Sequence, residues 1–178
     1  MSAVDLAFDA ERRVLGAVLH DPSLYDGCGL VTDDFADEKH RHVWTAIGAL
    51  ANADAPVMLA SVAASLEARN RLVAIGGPIV LATLYADCAT TAGWRFSAAT
   101  VAEAAKRRRL VAAAQALLDE AERGATSEKL AAGLTARLDV LAEDRPSESL
   151  RWFDLADCCA DTSPLEDPLV GPGFLSRG

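Results

Sequence analysis

Apolar residues recur at three- and four-residue spacing along most of the chain, and polar residues fill the positions between them. This spacing is typical of amphipathic helices, each with one face buried. In the first half, it predicts helices over residues 4–19, about 37–51, 59–68 and 79–86, with a short connecting helix at 22–26. In the first helix, Leu6 is assigned to the inward face, and Glu11 lies among the charges between apolar positions.

The second half of the chain carries two longer helical patterns, predicted over residues 94–122 and 127–142. Gly124 is a plausible stop for the first, and Thr126 a cap for the second. The two helices therefore form a helical hairpin with an apolar stripe on each arm. The first stripe comprises Val101, Ala104, Arg108, Val111, Ala114, Leu118 and Ala121, and the second comprises Leu130, Leu134, Leu138 and Leu141.

Two kinds of packing could bury these stripes. They could pack against the body of their own domain or against a second copy of the chain. The pattern taken alone favours packing within the chain.

Composition supports an all-α fold. The chain contains 36 alanines, five Phe, two Tyr and three Trp, so strong helix formers far outnumber the aromatic residues common in sheets. An all-β fold is excluded. We expect a helical bundle over residues 1–90, the hairpin of the same domain over 91–143, and a linker or tail over 144–178.

The net charge of −9 opposes general attraction to nucleic acid phosphates. Residues 143–178 contribute −5 of it, with eight acids and three bases. The exception is the basic run Lys106-Arg107-Arg108-Arg109, which could contact a phosphate or form a solvated helix face. We favour the solvated face, with Lys106 and Arg109 supported by Glu103 and other acids at helical spacing.

Candidate chemistry is sparse. His40 and His42 lie beside Asp37 and Glu38, but a structural metal site normally needs four converging ligands. We interpret both histidines as surface or cap residues. Cys158-Cys159 lacks a CxxC partner, and no catalytic, phosphate-binding or dinucleotide motif is present. The sequence predicts no catalytic, metal or cofactor site, and it predicts a cytoplasmic protein with free thiols and no membrane span.

Four segments follow one another along the chain: AERRVLGAVLHDPSLYD, DDFADEKHRHVWTAIGAL, LEARNRLVAIGGPIVLATL and VAEAAKRRRLVAAAQALLDEA. With Phe35, His40, the Gly76-Gly77 turn and Arg108 in register, residues 10–142 resemble the N-terminal domain of DnaB-type replicative helicases. The resemblance implies an all-helical fold, a globular bundle followed by a protruding hairpin. It also implies that the hairpin pairs between subunits, so that six domains form a collar of three dimers.

The resemblance has further implications for partners and chemistry. It implies a homo-oligomer, a dimer or within the full-length protein a hexamer, which docks primase and a helicase loader. The collar itself hydrolyses no ATP; ATP and magnesium belong to a motor domain absent from this chain, and single-stranded DNA is contacted through the full-length hexamer. It raises the expectation that the hairpin stripe packs between subunits, and it adds Trp94 and Phe96 to the predicted self-association residues.

The chain departs from the family pattern at two positions. Met58 stands where the family usually has an Asp that caps the next helix, so the start of that helix is in doubt. Ser97 stands where a Tyr is common, with Trp94 and Phe96 as possible replacements.

The last residues, EDPLVGPGFLSRG, resemble the lead-in to an ATPase domain. We therefore expect a piece of a longer helicase, with residues 150–155 as the linker. The alternative is a free-standing helical adaptor that binds a protein partner. An enzyme with a site at Asp33, Asp34, His40 and His42 is disfavoured.

Overall fold

Eight α-helices follow one another in the described residues, 3–88 and 90–143, of the computed structural model, and no strand occurs among them. The all-α prediction is confirmed. The helices are α1 (Ala3–His20), α2 (Leu24–Cys28), α3 (Glu38–Ala51), α4 (Leu59–Ala68), α5 (Leu72–Ile75), α6 (Pro78–Asp87), α7 (Trp94–Glu122) and α8 (Ser127–Glu143). A 3-10 turn, Thr32–Asp34, lies between α2 and α3.

Local signals in the sequence explain where several helices begin and end. The side chain of Asp37 accepts a hydrogen bond of 2.7 Å from the backbone N–H of Lys39, which caps α3. The first residue of α6 is Pro78, whose missing N–H is not needed there. Gly29 ends α2 in the left-handed conformation, which a residue without Cβ adopts readily.

The core of the bundle is built around one face of α1 and the inner face of α3. Phe35 and Trp44 are almost fully buried, with ring centroids 5.1 Å apart, and the Tyr25 ring also packs against Trp44, with centroids 4.8 Å apart. Such tilted aromatic pairs are favourable beyond the area that they bury. The interior also contains Leu15, Val18, Ile47, Val62, Leu66, Ile75, Leu81 and Val101.

A glycine allows α1 and α6 to approach closely. A Cβ at Gly16 would lie 2.5 Å from the backbone oxygen of Leu84 and 2.6 Å from Cβ of Cys88. Both distances are far below van der Waals contact. The absence of a side chain at this position therefore sets the spacing between the two helices.

Three local features differ from the sequence-based predictions. Residues 72–75 form a short helix, α5, that the pattern did not show. Leu6 was assigned to the inward face but is 41% exposed, because the first turns of α1 extend past the core. The start of α4 is unaffected by Met58, since the hydroxyl of Ser61 accepts a 2.8 Å hydrogen bond from the Met58 N–H.

Within the part of the chain that the structure describes, no helix is both long enough and apolar enough to cross a membrane.

Candidate self-association surface

Helix α7 belongs to the bundle at one end and to the hairpin at the other. Its first turns pack on α1, where Val101 and Ala105 are almost completely buried. Beyond Arg109, its apolar side chains lie at the surface, with Val111 55% and Leu118 64% exposed. Val101 therefore does not lie on an exposed stripe as predicted, because its face of the helix points into the bundle of its own chain.

Two arginines of α7 hold the 3-10 turn where the hairpin leaves the bundle. Arg108 donates to the backbone oxygen of Asp34, and Arg109 forms an ion pair with the Asp34 carboxylate. The other carboxylate oxygen accepts a 2.8 Å hydrogen bond from the N–H of Val31. Asp34 is 5% exposed, so its carboxylate is largely removed from water and is held by these donors, while the Arg109 side chain stays partly in solvent. The contacts tie α7 to the bundle at the base of the hairpin.

The basic run was interpreted as a solvated helix face, and this interpretation is wrong for two of its four residues, Arg108 and Arg109. Arg108 and Arg109 turn inward to Asp34, which precedes them by more than seventy residues in the sequence. Glu103 pairs with Arg107 at 3.1 Å, one helical turn along. Arg108 was also predicted to lie on the stripe that faces a partner, but its side chain contacts Asp34 of its own chain.

A second buried polar network joins α1 to the start of α3. Glu11, 1% exposed, accepts hydrogen bonds from the backbone N–H of Ala36 at 2.6 Å and of Asp37 at 3.4 Å. Its other partner is Nδ1 of His40, 2.8 Å away. A carboxylate is favoured here because it faces the positive end of the α3 dipole.

This network corrects two predictions. Glu11 is not on a solvated polar face, and His40 is not a surface residue, because each is buried against the other. His42 does lie near the surface, with Nε2 3.5 Å from the carboxylate of Glu38. No group of three potential metal ligands gathers among the described side chains. The Cys158-Cys159 pair lies outside the described residues.

The two arms of the hairpin are antiparallel and pack on each other. A Cβ at Gly133 of α8 would lie 3.4 Å from a methyl carbon of Leu117 on α7, which is ordinary contact. Thr126 caps α8 as predicted, since its hydroxyl accepts from the N–H of Lys129 at 3.4 Å. An ion pair of 2.6 Å between Arg137 and Glu120 crosses between the arms.

Exposed apolar side chains continue along the outer surface of both arms. We call this set the hairpin stripe; it consists of Leu110, Val111, Ala114, Leu118, Leu134 and Leu138. Leu134 and Leu138 are 47% and 49% exposed, and Leu130 is half-buried between the arms. Several large apolar side chains left exposed on the same hairpin indicate a candidate interaction surface. The side chain of Leu141, also predicted here, lies outside the described side chains.

The aromatic residues at the base of the hairpin separate into two roles. Trp94 is half-buried against the core, close to Gly27 of α2, so it helps to close the bundle. Phe96 is 68% exposed and stays available to a partner. Ser97, at the position where a tyrosine was expected, is buried and faces the bundle.

The Arg137–Glu120 pair predicts a pH dependence confined to the hairpin. The hydrogen bond from Arg137 holds the pKa of the Glu120 carboxyl below its usual 4.5. Because the pKa is lower in the folded state, the ionised carboxylate stabilises the hairpin at pH values above 4.5. This stabilisation is lost as the pH falls through the folded-state pKa and the carboxyl becomes protonated. We therefore expect the Glu120→Gln variant to be less stable than the native chain at pH 7, and this difference to shrink as the pH falls below 4.5 and the Glu120 carboxyl becomes protonated.

Amide hydrogen exchange at residues around Leu117 and Gly133 measures this effect directly. Because the native chain and the variant are compared at each pH, the titration of other carboxyls affects both equally. Equal exchange rates in the two proteins at pH 7 would show that the pair does not stabilise the hairpin.

The family model for the DnaB-like helicase N-terminal domain matches residues 5–103, more than half of the chain. This chain belongs to that family. The match includes nearly all of the bundle and the first turns of α7, with the Glu11–His40 network, and it ends before Arg108 and Arg109. The resemblance found in the sequence is thus confirmed.

Two curated relatives are replicative DNA helicases. The chain is 33% identical over 179 residues to replicative DNA helicase DnaB of Mycobacterium leprae (strain TN), covering 98% of this chain and 29% of the relative. It is also 33% identical over 116 residues to the DnaB of Geobacillus stearothermophilus, covering 64% of this chain and 26% of that protein. The chain thus spans less than a third of the length of these helicases.

Solved structures show the same fold. The crystal structure of the N-terminal domain of DnaB helicase from Mycobacterium tuberculosis superposes with a TM-score of 0.67 at 31% identity, covering 75% of this chain and 94% of that one. A DnaB-like replicative helicase, described with its interactions with primase, also superposes at 0.67. At 23% identity over 85% of this chain and 34% of that one, this second likeness shows the fold alone.

Proposed function

We propose that this chain forms the N-terminal collar of a replicative helicase and assembles by pairing its hairpin with that of a second copy. The exposed hairpin stripe is the observation that carries the proposal. It lies on the part of α7 and α8 that the bundle does not cover, so packing within the described part of the chain leaves it open to water.

The geometry of the stripe suits a symmetric pair. A two-fold dimer uses the same surface on both copies, so an elongated apolar stripe on one hairpin can pack on its own copy. Burial of apolar area contributes roughly 25 cal/mol per Å², and an interface of ordinary size buries about 1,600 Å² in total. This driving force is sufficient to offset the loss of freedom on association. Three such pairs would form a hexameric collar.

In this role the domain carries no catalytic step of its own. Nucleotide and magnesium would be bound by a motor domain elsewhere in the helicase, and single-stranded DNA would be contacted by the assembled hexamer. A DnaB-like replicative helicase of the same fold is described with its interactions with primase, and the role proposed for this domain includes docking of primase and of a helicase loader. The predicted cytoplasmic location is consistent with a helicase that replicates a chromosome or another DNA molecule in the cytoplasm.

Self-association is tested by a charge placed in the stripe. We expect the native chain to sediment as a dimer at micromolar concentration, and Leu134→Glu or Val111→Glu to weaken the dimer by at least about tenfold, because each buries a carboxylate without a partner. Both side chains are exposed in the single chain, so each variant should retain the helical circular dichroism and melting temperature of the native protein.

Ala132→Glu is the matched control, since Ala132 is exposed on the same helix but outside the stripe. It should leave the dimer intact. A native chain that sediments as a folded monomer at high micromolar concentration would contradict the proposal. Reading the gene downstream of residue 178 separates a helicase, with a phosphate-binding loop, from a free-standing adaptor.

A further inference from the structure

A cavity lies where the loop after α6 leads into α7. It has a volume of about 510 Å³, within the range of small-molecule sites, and it is partly open to solvent. Three parts of the chain form its walls: Arg13 of α1, the end of α6 with loop residues 90–93, and the first turn of α7. These residues belong neither to the hairpin stripe nor to the two buried polar networks.

The wall of this cavity contains a buried hydroxyl without a partner. Ser97 is 4% exposed and lines the cavity. Its backbone N–H donates to the oxygen of Gly93, but its hydroxyl makes no hydrogen bond among the described residues. A hydroxyl removed from water normally has a partner, because an unsatisfied one destabilises the fold. A ligand in the cavity would supply the missing acceptor.

The first turn of α7 offers further donors at the same place. The N-cap of this 29-residue helix is Gly93, which has no side chain to cap it. The N–H groups of Arg95 and Phe96 have no acceptor in the part of the chain that the structure describes. These N–H groups and the helix dipole make this end of the helix positive. An oxyanion would satisfy them together with the Ser97 hydroxyl.

The charged side chains around the cavity favour an anion. Arg13 lines it, is exposed, and forms no ion pair among the described residues. The acids nearby are Asp87, which is already paired with Arg12, and Asp9 of α1. With Arg95 on the first turn of α7, three arginines surround the site against two aspartates. The Arg13 guanidinium can therefore bind a phosphate through two parallel N–H groups.

An exposed aromatic ring lies beside these donors. Phe96 lines the cavity and is 68% exposed, and the half-buried Trp94 forms another part of the wall. A phosphate ion would fill only a fraction of the volume of about 510 Å³. Nucleic acid bases stack on exposed aromatic side chains, because both have flat apolar faces. The cavity therefore suits a phosphate that carries a flat ring.

We propose that this cavity binds a nucleotide through its terminal phosphate. The Ser97 hydroxyl and the N–H groups of Arg95 and Phe96 donate to the phosphate oxygens, and Arg13 balances their charge. The base packs on the ring of Phe96. The site is distinct from the self-association surface, and it gives the domain a small-molecule ligand of its own.

Titration of the isotope-labelled full chain with inorganic phosphate and with AMP, at constant ionic strength, tests this proposal. We expect both ligands to shift the amide signals of Arg95, Phe96 and Ser97. AMP should bind about tenfold more tightly than phosphate because its base also stacks, and adenosine at least about tenfold more weakly than AMP. A short oligonucleotide without a terminal phosphate should bind more weakly than AMP; equal affinity would overturn the assignment to a free nucleotide.

Ser97→Ala separates binding from stability. It should weaken AMP binding about tenfold, because it removes a hydrogen bond to a charged group. Without ligand, the variant should melt at or above the temperature of the native chain, because the lost hydroxyl had no partner. A purely structural role for Ser97 would instead lower the melting temperature and leave the affinity for AMP unchanged.

The charge and the ring are tested by two further variants. Arg13→Gln should weaken phosphate and AMP alike, by about fivefold, because both carry the same charged group. Phe96→Ala should weaken AMP alone, to about the affinity of phosphate. The matched control is Arg71→Gln, which removes an exposed arginine outside the cavity and should bind as the native chain does.

Two outcomes would overturn the proposal. The first is a set of shifts at residues 95–97 no larger than those at Glu128 and Lys129, which would show that phosphate collects at any helix start. The second is AMP binding that neither Ser97→Ala nor Arg13→Gln weakens. Leu134→Glu, placed in the hairpin stripe, should bind AMP as the native chain does. Failure of the self-association proposal therefore leaves this test unaffected.

Discussion

Replacing Glu11 with alanine should destabilise the domain by about 3–5 kcal/mol, the largest effect that we expect from a single polar side chain. The carboxylate is 1% exposed and satisfies two backbone N–H groups and the ring of His40. Its removal leaves the ring of the buried His40 and two partly buried backbone N–H groups without this acceptor, and each unsatisfied buried group costs about 1–3 kcal/mol. Urea unfolding followed by circular dichroism gives the free energy of unfolding.

Two further variants separate the network from a general effect of losing a glutamate. Glu67 is an exposed glutamate on α4, so Glu67→Ala should change the free energy by no more than about 0.5 kcal/mol. Glu11→Gln keeps the shape and one acceptor oxygen and should fall between the native chain and Glu11→Ala. A loss below about 1 kcal/mol for Glu11→Ala would show that the contact between α1 and α3 does not rely on this carboxylate.

The network also has a consequence for the hairpin. Glu11 fixes the backbone at Ala36 and Asp37, immediately after the turn in which Asp34 holds Arg108 and Arg109. The bundle and the base of the hairpin are therefore connected through one short segment. Loss of Glu11 should weaken self-association as well as folding, because the hairpin is positioned through this segment.

Gly16→Ala should destabilise the domain by about 2–4 kcal/mol, although alanine is the better helix former. The new Cβ would lie 2.5 Å from the Leu84 backbone oxygen and 2.6 Å from Cβ of Cys88, so α1 and α6 would have to separate. Overpacking of this kind typically costs about 1–3 kcal/mol, and separation of two buried helices adds lost contacts. The gain in helix propensity, about 1 kcal/mol, does not compensate.

The matched control is the same substitution in a helix with room for it. At Gly133 of α8, a Cβ would meet Leu117 at 3.4 Å, so Gly133→Ala should stabilise the hairpin by about 0.5–1 kcal/mol. Thermal unfolding of both variants therefore gives shifts of opposite sign. Shifts of the same sign would mean that helix propensity, and not the close approach of α1 and α6, determines the response at Gly16.

The helices were predictable because their signals are local. The limits of α4 and α7 predicted from the apolar spacing agree with the structure, and Gly29, Asp37, Pro78 and Thr126 act at helix ends as their chemistry indicates. The short helix α5 was missed because four residues are too few to show a period. The hairpin followed from two long patterns and a short turn between them.

The candidate surface was predictable in part. Val111, Leu118, Leu134 and Leu138 were named from spacing and are exposed on the hairpin. Val101 was named by the same rule but is buried, because helical spacing identifies a face without indicating which part of a long helix the bundle covers. Nothing in the sequence distinguished Arg108 and Arg109 from solvated arginines, since their partner Asp34 is distant along the chain.

The sequence by itself determined the helical class and the hairpin, because amphipathic periodicity, caps and turn residues act over a few neighbouring positions. It also indicated the family, through the resemblance of four segments to DnaB-type helicases. The tertiary structure alone decided which charges are buried and which apolar side chains stay open. Glu11 with His40, Asp34 with its two arginines, and the cavity beside Ser97 each depend on residues brought together from distant parts of the chain. Burial and pairing are properties of that assembly of helices, so no local pattern could have shown them.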